Sequence, residues 1–237
     1  MQANEYLRAG KLKEAIQAAG EQVRENPLDP TLRTSLFELL CFAGEFERAE
    51  KQLEVLAQGG RTAEMGALLY RAALQAERAR QHFFAEKQYL NQSATVSPRA
   101  GKFNGGSFLQ ISDADLRVGP RLEVFLGGAY MWVPFEHISS IVIQPPKRLR
   151  DLIWAPALVH TAESFKGTNL GEVLLPVLSP GTWQHGDDEV RLGRMTVWEP
   201  QDDGTEIPYG QKMLLVDGNE MPILELRNLE LEVAAAA

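Results

Sequence analysis

The chain has 237 residues with 24 Lys and Arg against 32 Asp and Glu, a formal net charge of −8. Acidic balance argues against a polyanion partner, because phosphate neutralisation requires clustered Lys and Arg, so nucleic acid is not an expected ligand. The opening "MQANEYLRAGKLKEAI" lacks a signal peptide's apolar core, no stretch approaches the apolar length of a membrane span, and the single cysteine, Cys41, excludes an internal disulfide. A soluble, cytoplasmic protein with no membrane partner is expected.

Composition divides the chain. Residues 1–98 hold three of the thirteen prolines and no tryptophan, with 12 basic and 13 acidic residues; residues 99–237 hold ten prolines and all four tryptophans, with 12 basic and 19 acidic residues. Two domains are expected, a helical one over 1–98 and a β-rich one over 99–237.

In the first, apolar residues recur at helical spacing, and Gly10, Leu12 and Ala15 return as Gly44, Phe46 and Ala49. The offset of 34 is the period of a tetratricopeptide repeat, two antiparallel helices that bury their apolar faces by stacking on a neighbour. Gly44 therefore reads as the turn between two helices. Helices are predicted at about 2–8, 11–25, 31–43, 46–58 and 62–82. "NPLDP" separates the units, with Asn26 and Asp29 as turn or cap residues and Pro30 suited to a first helical turn. The fifth helix has Thr62 as its predicted cap and Met65, Leu68, Leu69, Ala72 and Ala76 as its apolar stripe. Lacking the glycine turn, it is expected to cap the stack and join it to the rest.

After "SPRAGKFNGGS" the period changes toward two. "LEVFLGGAYMWVPF" predicts a hairpin about Gly127 and Gly128, with Tyr130, Trp132 and Pro134 on one face. Further strands are predicted at 138–143, 154–161 after a short helical turn, 172–178, 194–198, 212–216 and 221–226. The fold class is α+β: a helical repeat region followed by a mostly antiparallel β region.

Catalytic patterns are sparse. The chain has no glycine-rich phosphate loop, nucleophile elbow, paired cysteines or His-Glu-x-x-His helix. Asp113 and Asp115 in "SDADLRVG" read either as paired carboxylates for a metal or acid/base work or as a solvated turn. His185, Asp187 and Asp188 in "WQHGDDE" read either as metal ligands or as a polar loop. Cys41 lies in a helical apolar pattern, as a small core or groove residue rather than an activated nucleophile. A non-enzyme without cofactor or metal is expected, with a hydrolase or metal site in the β region as the alternative.

Residues 111–157, "ISDADLRVGPRLEVFLGGAYMWVPFEHISSIVIQPPKRLRDLIWAPA", together with "VRLGRMTVWEP", resemble the signature of the ImpE/TagJ family, accessory proteins of bacterial type VI secretion systems. The resemblance implies a non-catalytic adaptor that binds the N-terminal helix of the small contractile-sheath subunit, TssB or VipA, and links the sheath to the ClpV ATPase. It also marks Trp132, Pro134, Phe135, Arg148, Arg150, Asp151 and Trp154 as signature positions, either structural or contacting. Stacked helix pairs offer a concave surface that an amphipathic helix would enter with anchors at i, i+3, i+4 and i+7. The partner-binding candidates are Thr34, Glu38, Cys41 and Phe42 from one unit and Leu68, Leu69, Ala72 and Gln75 from the long helix. Arg148 and Arg150 mark a rival groove at the junction with the β region. A general assembly scaffold with another client is the third reading.

Overall fold

Five helices open the chain: α1 (Gln2–Arg8), α2 (Leu12–Glu25), α3 (Pro30–Phe42), α4 (Phe46–Leu56) and α5 (Arg61–Ala85). The structure, a computed structural model, describes residues 2–91, 99–163, 165 and 169–232. The helix bounds follow the hydrophobic periodicity closely, and consecutive helices pack on one another in chain order. Asp29 caps α3, accepting from the N–H of Thr31 at 2.7 Å and of Leu32 at 3.3 Å, with Pro30 at the first helical position.

The 34-residue offset extends to individual hydrogen bonds. Gly10 N–H donates to Leu7 O and Lys11 N–H to Tyr6 O; 34 residues on, Gly44 N–H donates to Cys41 O and Glu45 N–H to Leu40 O. This paired bonding closes a helix through a left-handed residue, and Gly10 and Gly44 have φ of 72° and 69°. A side chain at Gly44 would also place its Cβ 2.4 Å from the Trp183 ring. Gly44→Ala is therefore expected to destabilise by at least about 1–2 kcal/mol, the cost of the left-handed backbone alone. Chemical denaturation checks this, and an unchanged midpoint would contradict it.

Two details of α5 depart from expectation. Its N-cap is Gly60, at φ 100° with no side-chain cap, so Thr62 lies inside the first turn. Its buried residues are Ala67, Ala73, Leu74, Ala76, Glu77, Arg80 and Phe84, whereas Met65, Leu68 and Leu69 are 62%, 64% and 72% exposed. The stripe is real as a period but splits along its length. Ala76 is buried and Gly128 sits against Ala72 and Gln75, while the first two turns of the stripe are left uncovered.

The second half builds β1 (Gly101–Phe103), β2 (Gly106–Phe108), β3 (Ile111–Asp113), β4 (Arg121–Leu126), β5 (Ala129–Pro134), β6 (Ile138–Ile143), β7 (Trp154–Thr161) and β8 (Gly171–Pro176). A short α6 (Asp188–Arg191) precedes β9 (Val197–Pro200), β10 (Glu206–Tyr209), β11 (Met213–Val216), β12 (Asn219–Pro222) and β13 (Asn228–Leu231). An eight-stranded antiparallel sheet runs β2-β1-β13-β6-β7-β8-β4-β5, beside a three-stranded sheet β12-β11-β3 and the β9-β10 hairpin. Gly127 and Gly128, both at positive φ, form the predicted β4-β5 turn.

The strand predicted at 221–226 is corrected. Pro222 cannot donate to a ladder, and the chain leaves β12 there into a 3-10 turn over Ile223–Glu225 whose Ile223 is buried. The strand predicted at 194–198 begins only at Val197, because the Arg194 backbone N–H still closes the turn after α6 by donating to the Glu189 carbonyl.

Alternation sends one side of the large sheet toward the helices and the other into a separate core. Leu122, Val124, Val133, Ile141, Ile143, Ala155, Ala157, Val159, Val173 and Leu175 pack with Leu214, Ile223, Leu226 and Leu229. Phe125 and Trp154 instead join a cluster with Phe37, Leu39, Leu40, Phe42, Leu53 and Leu74, so helices and sheet share one hydrophobic core. No helix among the described residues is long and apolar enough to cross a membrane.

Candidate functional site

α5 lies across β4 and β5, and the side chains that meet there are aromatic and charged. Alternation along β5 points Tyr130 and Trp132 to this side, as predicted, where Phe83 packs edge-on against both at 5.7 and 5.0 Å between ring centroids. Arg80 is 1% exposed and reaches between helix and sheet. Its Nε donates to Glu123 Oε1 at 2.7 Å, one terminal nitrogen to Glu123 Oε2 at 3.1 Å and to the Leu178 carbonyl at 2.9 Å, and the other to Glu77 Oε1 at 3.2 Å. Glu77 also accepts from the Trp154 indole N–H at 3.0 Å. Tyr130 donates to Glu123 at 2.7 Å and accepts from the Trp132 indole.

Lys212, 3% exposed, pairs with Glu123 and with Asp113. The chain Glu77, Arg80, Glu123, Lys212, Asp113 thus ties α5 to β4 and to β3 through alternating charges. Burial alone would neutralise such groups; pairing keeps most of them charged. Burial pushes Glu123 up, but Arg80 and Lys212 outweigh it and hold its carboxyl well below the usual carboxylate range. Burial pulls Arg80 and Lys212 down, yet the facing carboxylates raise both. Asp113 is the exception: burial pushes it up to about 6, Lys212 opposes, and Glu123 and Asp115 add to the rise.

Asp113 and Asp115 do not form an open carboxylate pair. Asp113 Oδ1 accepts from the Asp115 N–H at 2.9 Å, and Asp115 binds the Arg117 guanidinium and backbone N–H, so both are occupied in a turn that follows β3. In "WQHGDDE", His185 Nδ1 accepts from the Asp187 N–H, Asp187 caps α6, and Asp188 accepts from the Leu12 N–H. Among the described residues no group of three or more His, Cys, Asp and Glu could hold a metal ion.

The partner-binding candidates fall into three environments. Cys41 and Phe42 are buried and line a small pocket with Glu77, Arg80, Gln81 and Trp183; burial pushes the Cys41 thiol well up, disfavouring a thiolate. Glu38, buried on α3, has its carboxyl raised by burial against the opposing charge and backbone hydrogen bond of Arg150. Arg150 in turn stacks 4.7 Å from the Tyr70 ring, which lies 5.2 Å from Phe37. The helical and junction candidates Glu38 and Arg150 are therefore neighbours. Thr34 is half-buried, its hydroxyl donating to the Pro30 carbonyl, and Arg148 is exposed, its backbone N–H held by Asp151. Leu68, Leu69 and Gln75 are exposed and Ala72 half-buried on α5.

Glu77, Arg80, Glu123 and Lys212 were not among the sequence candidates. One signal was available: Glu77 and Arg80 fall at helical spacing between Leu74 and Phe84, so two charges interrupt the face that the helix buries.

A family model described as ImpE protein matches residues 105–230. The chain is 34% identical over 265 aligned positions to the type VI secretion system accessory component TagJ of Pseudomonas aeruginosa, covering 98% of this chain and 92% of that one. In fold it is similar to the crystal structure of a protein from Vibrio parahaemolyticus, with a TM-score of 0.86, 26% identity and 98% of each chain covered.

Proposed function

The chain belongs to the ImpE family, and on that premise we propose that it is an accessory component of type VI secretion that captures an amphipathic helix of a partner on its helical layer. The partner is the N-terminal helix of the small sheath subunit, TssB or VipA, and through it the protein links the sheath to the ClpV ATPase in the cytoplasm. The helical region within residues 1–98 serves as the receptor, and the β region within residues 99–237 supports it.

The observation that carries the reading is the uncovered first half of the α5 stripe. Met65, Leu68 and Leu69 stand at i, i+3 and i+4 on a helix whose later turns are covered by the β4-β5 hairpin. Apolar residues at that spacing are what an incoming helix packs against. Cys41 and Phe42 support the layer from within rather than touch the partner, and Arg148, beside the Glu38, Tyr70 and Arg150 group, stands ready for a helix C-terminus or acidic side chains.

A synthetic peptide of about 20 residues from the cognate subunit's N-terminus, titrated by calorimetry, is expected to bind. Leu69→Glu should weaken it roughly tenfold or more by setting a charge in the apolar contact, with folding unaltered because the side chain is exposed. Absence of binding to the wild-type protein would sink the reading; binding that Leu68→Glu and Leu69→Glu leave unchanged would remove the α5 stripe from it.

A further inference from the structure

We infer that residues 181–194 form a clasp that holds the first helical hairpin, so that the order of α1 and α2 is controlled from the β region.

α2 buries Leu12, Ala15, Ile16, Ala18, Ala19 and Val23 in the helical core, but α1 and the turn that joins the two helices have little of their own to hold them. α1 has seven residues, of which Ala3 alone is buried, and a helix that short is marginal in isolation. The N-cap of α2 is Lys11, which offers no side-chain cap. The missing cap is supplied 176 residues further on: Asp188 Oδ2 accepts from the Leu12 N–H at 2.7 Å and lies 3.4 Å from the Lys13 nitrogen. A carboxylate there both satisfies orphan donors and opposes the positive end of the helix.

The other side of the same turn is held with opposite charge. Arg194 donates to the carbonyls of Leu7 and Arg8 at the end of α1, where a cation is favoured. The two clasp charges are themselves braced, Asp188 by Arg191 at 2.9 Å and Arg194 by Glu189 at 3.1 Å. Glu189 lies so close to Gly10 that a Cβ there would fall 1.6 Å from its carboxylate. Trp183 covers Gly44, the equivalent turn of the second hairpin, and shares Gln81 Oε1 with the Gly181 N–H. The clasp thus bears on both glycine turns of the repeat.

The attachment is unequal at its two ends. Val190 and Leu192 are buried, which fixes the clasp to the body of the protein. Its grip on α1 and α2 consists of charged and backbone hydrogen bonds, most of them exposed or partly so. Such contacts open locally more readily than apolar packing does. α2 also packs on α3 through its own buried residues, so loss of the clasp is expected to loosen residues 2–25 more than the later helices and the sheet, without unfolding the protein. This inference does not depend on which partner the layer binds.

Hydrogen exchange read by mass spectrometry on the full-length chain tests it. In the Asp188→Ala, Arg194→Ala double variant, peptides within residues 2–25 are expected to exchange roughly tenfold faster or more, with α3 to α5 and the strands at wild-type rates. Asp188→Asn, which keeps an acceptor but loses the charge, should give a smaller acceleration confined to the same residues. Wild-type rates over 2–25 in both variants would overturn the clasp, as would acceleration spread evenly over helices and sheet in both.

Discussion

Arg80→Met should destabilise the folded protein by about 3–5 kcal/mol, because it removes one member of a buried ionic network and leaves the others to bear their desolvation. Glu123, at 1% exposure, would keep Lys212 and the Tyr130 hydroxyl among the described residues, and the Leu178 carbonyl would lose the Arg80 donor. Methionine fills much of the arginine stem, so the loss reads charge pairing rather than an empty cavity. The cycle with Glu123→Gln separates the two. With both replaced, Lys212 retains Asp113, and at least half of the lost stability should return. Urea unfolding followed by both circular dichroism and tryptophan fluorescence measures it. A single variant within about 1 kcal/mol of wild type would mean that the network contributes nothing to holding α5 on the sheet.

Stability should also fall as pH rises from about 4 to about 6, and Asp113 should account for the fall. Its carboxyl ionises near 3.8 when unconstrained and near 6 when buried in the fold. Between those values the folded state binds more protons than the unfolded one, so raising the pH favours unfolding, by about 3 kcal/mol over the window for this group alone. Glu123 works in the opposite sense: its carboxyl is held below the usual range, so its contribution is present above about 4.5 and is lost on acidification. The two effects place the network's best balance near the acid end of the window. Comparing wild type with Asp113→Asn at each pH cancels the groups common to both. The wild type should lose about 3 kcal/mol relative to the variant between pH 4 and 6; a difference that does not change with pH would remove Asp113 as the cause.

Elements with a long apolar pattern or specific turn chemistry are legible in the sequence. The helices over 2–56 follow from apolar spacing and from Gly10 and Gly44, whose repeat survives in the structure as equivalent hydrogen bonds. β6 and β7 match their predicted bounds, 138–143 and 154–161. The three-residue strands β1, β2 and β3 are too short to carry a period, and β10 and β13 also lie outside the predicted strands.

Charged groups with remote partners were not legible. Asp113 and Asp115, two residues apart, read either as a carboxylate pair or as a solvated turn; the structure buries both in a turn, with Asp115 paired to Arg117 and Asp113 to Lys212, almost a hundred residues away in the chain. Asp188 read either as a metal ligand or as part of a polar loop, and neither reading reaches its contact with the start of a helix at the other end of the chain.

The sequence by itself determined the repeat period, the change from helical to alternating spacing near residue 100 and the family to which the chain belongs, because these depend on neighbours a few residues apart or on motifs read in order. Only the tertiary structure decided which half of the α5 stripe stays open, how Glu77, Arg80, Glu123, Lys212 and Asp113 share their charge, and what residues 181–194 hold. The reason is physical: a side chain's burial and ionisation depend on what lies across the gap, and chain order does not record that distance.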